Sequence, residues 1–223
     1  MAGAGFPAAA KKRAAVIKTC GRPTGALPGE QAMDTSFEVE AVIGAGRGAL
    51  VVAMFGAGWL GWGLGQARAF AGLVGPVFGA MALLLWIGSI STIRKGHWLR
   101  QRHPRVPASA RHAARRSFVI IVLFEAVALA FVAILASWLH RPDLGTDWCA
   151  MVVGLHFLPL AKAVRSPSLI VSGLLITLWC VLSWVLFRSH TLVISVAVGT
   201  GILLWATSAV VLARARKIVH SLQ

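Results

Sequence analysis

The sequence predicts an all-α fold, a polytopic membrane protein built as a bundle of six transmembrane helices, and three observations predict it. The chain of 223 residues is 57% apolar and only 13% charged, whereas about a quarter of the residues in a water-soluble domain carry charge. Its apolar residues gather in six runs, each near the roughly 20 residues with which a helix crosses about 30 Å of hydrocarbon. The runs are continuous, as in Val119-Ile120-Ile121-Val122-Leu123-Phe124, where a membrane strand would alternate outward-apolar with inward-polar residues. A helix satisfies its own backbone polar groups, which is the condition that lipid imposes.

Taken in order, residues 1–40 read as a disordered basic segment, rich in Ala, Gly and Pro and carrying Lys11-Lys12-Arg13. No apolar stretch there is long enough for the core of a secretory signal. Met33 is a candidate start beside Met1, because Asp34 to Glu40 form a short polar lead-in with cap residues before the first helix. A six-span membrane domain follows over 41–213, with spans at about 42–65, 69–92, 118–139, 148–165, 168–187 and 191–213. Spans one and two are crowded with glycine, and Gly44-x3-Gly48 and Gly61-x3-Gly65 have the spacing that lets helices approach closely. Gly75-Pro76 is placed to bend span two. Spans two and three are joined by a basic loop over 94–116. Arg165-Ser166-Pro167 leaves only a tight turn between spans four and five, with Pro167 opening the fifth helix. Residues 214–223 form a basic tail.

The formal charge of +15, from 22 Lys and Arg against 7 Asp and Glu, by itself suggests a nucleic-acid partner. The placement of the charges gives a different reading. With both termini inside, 18 basic residues fall on the inner side, while Arg68, Arg141 and Arg188 fall on the other. This is the positive-inside pattern of a multi-pass protein of a bacterial inner membrane with cytoplasmic amino and carboxyl termini. Trp59, Trp62, Trp138, Trp148 and Trp184 lie near the outer ends of spans and Trp98 just inside, where indole rings prefer the headgroup zone.

The 94–116 loop holds Arg94, Lys95, Arg100, Arg102, Arg105, Arg111, Arg115 and Arg116 with no acid. Each is worth on the order of 1 kcal/mol near an anionic leaflet, so membrane lipids, including anionic ones, are the expected partners. Nucleic acid is set aside, because topology already requires such a loop and Trp98 is its only stacking aromatic. Cys20, Cys149 and Cys180 form no C-x-x-C pair and read as free thiols, with a Cys149–Cys180 bridge as the alternative.

Glu125 is the most informative residue. A carboxyl between Phe124 and Ala126-Val127 cannot face lipid cheaply and should point into the bundle, either paired or protonated. His156 lies at an equal depth on the next span, both about 12–14 Å from the inner boundary at 1.5 Å per residue, so a Glu125–His156 contact is expected. Arg47, five or six residues into span one, can extend toward the same layer. Pro159 cannot donate to the carbonyl of Leu155, so it frees a polar acceptor beside His156. Kinked helices beside ionisable residues point to transporter sites. Glu125, His156, Arg47 and Pro159 are therefore the candidate site for a small molecule or a proton. The bland alternative is a satisfied polar cluster that only sets helix packing.

No metal and no cofactor is expected, and no catalytic residue stands out. There is no H-E-x-x-H motif, a single mid-membrane histidine cannot supply two haem ligands, and no Lys-Ser or Lys-Thr follows the glycines as a phosphate loop requires. Ile170-Val171-Ser172-Gly173 lacks the first glycine of the rhomboid protease pattern, and His156 precedes that serine rather than following it. The stretch Leu155-His156-Phe157-Leu158-Pro159-Leu160-Ala161 resembles an L-H-F-x-P-L-A pattern of small bacterial inner-membrane proteins of several spans, a group with no established activity to carry over. The leading expectation is a small transporter or ligand-binding membrane protein. The alternative is a non-catalytic scaffold or lipid-associated protein acting through its basic loop, with an enzyme of lipid or isoprenoid substrates third.

Overall fold

In a computed structural model of the chain, six helices alternate in direction: α1 (Pro28–Gln66), α2 (Val74–Arg102), α3 (Ala108–Trp138), α4 (Pro142–Val164), α5 (Pro167–Leu186) and α6 (Ser189–Ser221). The structure describes residues 28–69, 73–102, 108–164 and 166–222, the side chains of 28–35, 108–115, 117, 142–143 and 163–164 excepted. Arg105 and the side chains of Arg111 and Arg115 thus lie outside the described residues, as does the basic segment before residue 28. Among the described residues all regular structure is helical. Each helix contains a stretch long and apolar enough to cross a membrane: Ser36–Gln66, Val74–Arg102, Phe118–Trp138, Leu144–Lys162, Pro167–Leu186 and Ser189–Ser221.

Helix α6 is the hub. It packs against α1, α2, α4 and α5, whereas α3 touches only α4. Small and hydroxylated side chains on α6 explain this centrality, since they admit close neighbours and tie them by hydrogen bonds across helices. Ser208 Oγ donates to Ala49 O at 2.9 Å and Trp205 Nε1 to Ala53 O at 3.0 Å, fixing α1. Thr207 Oγ1 donates to Ser172 Oγ at 2.7 Å, and Trp179 Nε1 donates to Ser195 O at 3.0 Å, fixing α5. Around these ties lies an apolar core of Ala150, Val153 and Phe157 from α4, Ile176 and Cys180 from α5, and Leu192, Val196 and Leu204 from α6.

Glycine does set the packing, but through other positions than the i, i+4 pairs suggest. Nothing lies within 4 Å of a Cβ placed at Gly44 or Gly48, because both sit on the exposed face of α1. Gly46, two residues or about 200° further round, is the one that packs against Ile93 of α2. Gly56 and Gly63 meet α6, and Gly154 of α4 faces Gly173 of α5.

The helices also outrun the expected spans at one end, where α1 begins and α2 and α6 finish. Residues 28–40 belong to α1 instead of a disordered segment, most of 94–116 is helix instead of loop, and the 214–223 tail continues α6 through Ser221. The cause is burial beyond the hydrocarbon. Val39 and Val42 pack with Leu99 and Val219, and Arg100 Nε meets Glu40 Oε1 at 3.2 Å. The side chains of Arg94, Lys95, Arg102, Arg116, Arg214, Arg216 and Lys217 are exposed at this end, which is called the basic end below. Arg102 stacks over the Trp98 ring at 3.7 Å.

Candidate functional site

The third helix reaches the bundle only through α4, and two contacts define that seam. At the end away from the basic side, a Cβ on Gly145 would sit 3.1 Å from Ala136 Cβ. Nearer the basic end, His156 Nε2 lies 3.2 Å from Glu125 Oε2. Glu125 is seven residues from Phe118 and His156 six from Lys162, the ends of the apolar stretches. At 1.5 Å per residue both lie about 9–10 Å deep. The matched depth read from the sequence is thus realised as a hydrogen-bonded pair between antiparallel neighbours.

The pair is partly shielded, with 8% of the His156 side chain and 18% of the Glu125 side chain exposed. Around it α3 is apolar on every side: Leu123, Phe124 and Val127 are all exposed. A carboxyl there needs its histidine partner, because nothing else on the adjoining turns of α3 can satisfy it. One proton passing between Oε2 and Nε2 converts an ion pair into a neutral pair, so the two groups titrate as one unit. Pro159 lies within α4, three residues beyond His156 and hence on nearly the same stripe. Its ring removes the donor that the Leu155 carbonyl would otherwise receive, and both residues are exposed.

Arg47 does not join this site. Its helix, α1, packs against α2 and α6 but not against α3 or α4, and its side chain is exposed. Gly46 beside it meets Ile93, the residue before Arg94, so Arg47 stands at the basic end with Arg94 and Lys95. It looks embedded in the sequence because α1 runs on well before it. Counted from Arg47, the 19 residues to Gln66 still suffice for a crossing.

A second buried polar group escaped the sequence reading. Asp147 is only 2% exposed, and it precedes His156 by nine residues, two and a half turns, so it points to the opposite face of α4. There it joins the interior of α4, α5 and α6 near Cys180. Asp147 Oδ1 and Thr200 Oγ1 are both buried without a hydrogen-bond partner. The sequence placed Asp147 just outside the fourth span, whose helix in fact begins at Pro142. Its signal was the missing turn signal between Asp147 and the apolar run. Cys149 and Cys180 are free thiols. Cys149 shares the stripe of Gly145 and His156 that faces α3, whereas Cys180 is in the core, so a bridge between them is geometrically closed.

Among the described residues no cluster of three His, Cys, Asp or Glu could hold a metal. Compared with known proteins, the chain matches no family model, no curated sequence and no solved structure.

Proposed function

We propose that this integral membrane protein is a small proton-linked transporter in which the Glu125–His156 pair carries the coupled proton. The observation behind the reading is the 3.2 Å contact between Glu125 Oε2 and His156 Nε2 across the α3–α4 seam. An intramembrane ionisable pair is a proton or ligand site by default, since lipid makes such groups costly to retain for packing alone. The seam suits gating because α3 touches no helix but α4, so it can shift while the contacts of α6 with α1, α2, α4 and α5 stay in place. Pro159 and the released Leu155 carbonyl put a polar acceptor beside the pair for a small ligand. In this reading the basic end faces the cytoplasm of a bacterial inner membrane.

The test is proton flux into proteoliposomes energised by a potassium diffusion potential. Glu125→Gln is expected to abolish the flux while the purified protein keeps its elution profile and yield. Undiminished flux in Glu125→Gln, or a variant that merely fails to accumulate, would assign the residue to packing. The second reading, a non-catalytic scaffold or lipid-associated protein, draws on the exposed Arg94, Lys95, Arg102 and Arg116 at the basic end. It is favoured if anionic liposomes recruit the protein and flux is absent in the wild type.

A further inference from the structure

Between α2 and α6 at the basic end, Ser91, Thr92, Lys95, Arg216, Val219 and His220 line a cavity of about 260 Å³. The two helices run parallel here, each antiparallel to α1, and a glycine makes the room. A Cβ on Gly88 would lie 3.3 Å from Leu212 Cδ1 and 3.5 Å from Arg216 Nη2. The Arg216 guanidinium therefore reaches back from its own turn toward the hydrocarbon, as long basic side chains do. Ser91 Oγ and Thr92 Oγ1 both donate to Gly88 O, at 2.9 and 2.8 Å. Their hydrogens are occupied, so the donors left for a ligand are the Lys95 ammonium, the Arg216 guanidinium and the His220 ring.

No carboxylate lines the cavity. Glu40, on the helix packed against both walls, is taken by Arg100. Among the described residues Lys95 and Arg216 have no acidic partner, although α2 and α6 bring them to one concave site. Two converging cations without a counter-charge are the chemistry that recognises a phosphate group, which a guanidinium can grip through parallel N–H donors. We propose that this cavity binds a single phosphate group, presented by the headgroup of an anionic phospholipid. The volume fits that scale, being below the roughly 300–1,000 Å³ of sites for drug-sized molecules. The depth fits a headgroup, since Gly88 to Thr92 form the last turn before Arg94 and Lys95 end the apolar stretch of α2. The site is separate from Glu125–His156 and stands whether or not that pair moves a proton.

The test uses the full chain in phosphatidylcholine nanodiscs, titrated with phosphatidylglycerol and read by native mass spectrometry. The double variant Lys95→Gln, Arg216→Gln removes two charges inside the cavity, and Arg94→Gln, Lys217→Gln removes two just outside it. The cavity variant is expected to bind about thirty-fold more weakly and the outer one by about threefold at most, given the worth of each basic contact near a membrane. Equal losses in the two would overturn the site in favour of diffuse attraction. Lys95→Arg, Arg216→Lys keeps both charges and is expected to retain binding, which separates loss of a ligand from loss of the fold. Inorganic phosphate distinguishes the source: failure to displace the lipid supports a headgroup site, and displacement supports a phosphate site open to free anions. If neither lipid nor phosphate tells the wild type from the cavity variant, the proposal fails.

Discussion

At the scale of single residues, the two buried carboxyls of α4 and its neighbour behave differently because one is partnered. Glu125→Gln keeps the size and an acceptor for His156, so its stability cost is expected to stay under about 1 kcal/mol, near the average interhelical hydrogen bond in a membrane. His156→Leu strands the Glu125 carboxyl at the seam and is expected to cost about 2 kcal/mol. Unfolding of the purified protein in a mild detergent measures both, and equal small effects would mean that the pair contributes no stability. Asp147 is the converse case. With Oδ1 buried and unpaired, Asp147→Asn is expected to leave the unfolding free energy unchanged or raised. A loss beyond about 2 kcal/mol would show a bonded carboxylate instead.

At the scale of helices, close approach is decided by where a missing side chain meets backbone. A Cβ on Gly201 would fall 2.8 Å from Leu60 N and 2.9 Å from Gly56 O. Backbone atoms cannot swing aside, so Gly201→Val must separate α1 from α6, at a cost expected to reach about 2 kcal/mol or more. Gly44→Ala, pointing into open space, is expected to be neutral or to stabilise by up to about 1 kcal/mol through helix propensity. The same unfolding assay ranks the two, and a reversed order would overturn the glycine contacts given for α1 and α6. The α3 helix shows the opposite regime. It is the most hydrophobic of the six spans and none of its apolar window is buried, so its place is held by lipid, by α4 and by one polar pair.

For the whole molecule, charge and helix count make one joint claim, that the basic end is cytoplasmic. In a chain whose Cys20, Cys149 and Cys180 are replaced by Ala, single cysteines at Arg102 and Arg188 sit in exposed positions at opposite ends. A membrane-impermeant maleimide added to intact cells is expected to label the Arg188 position and to reach the Arg102 position only after lysis. Labelling of both from outside, or the reverse order, would refute the orientation. The same charges that set this orientation converge between α2 and α6, so topology and headgroup recognition draw on one set of residues.

Much of this was legible without coordinates, and the physical reason is the solvent. Hydrocarbon forces every spanning backbone into self-satisfied helices of a fixed minimum length, so six runs of apolar residues sufficed to determine six helices. The cost of a carboxyl in lipid singled out Glu125, and equal depth on consecutive helices gave it His156. What the sequence could not determine is rotation and neighbourhood. Whether Gly44 or Gly46 faces a partner, whether Arg47 lies in the bundle or at its basic rim, and that Asp147 turns inward depend on which helices touch. The Lys95–Arg216 cavity joins residues 121 positions apart on helices that meet only because α6 is the hub. That choice is made by glycine notches and hydroxyl ties between helices, and only the tertiary structure decides it, since lipid favours no apolar face over another.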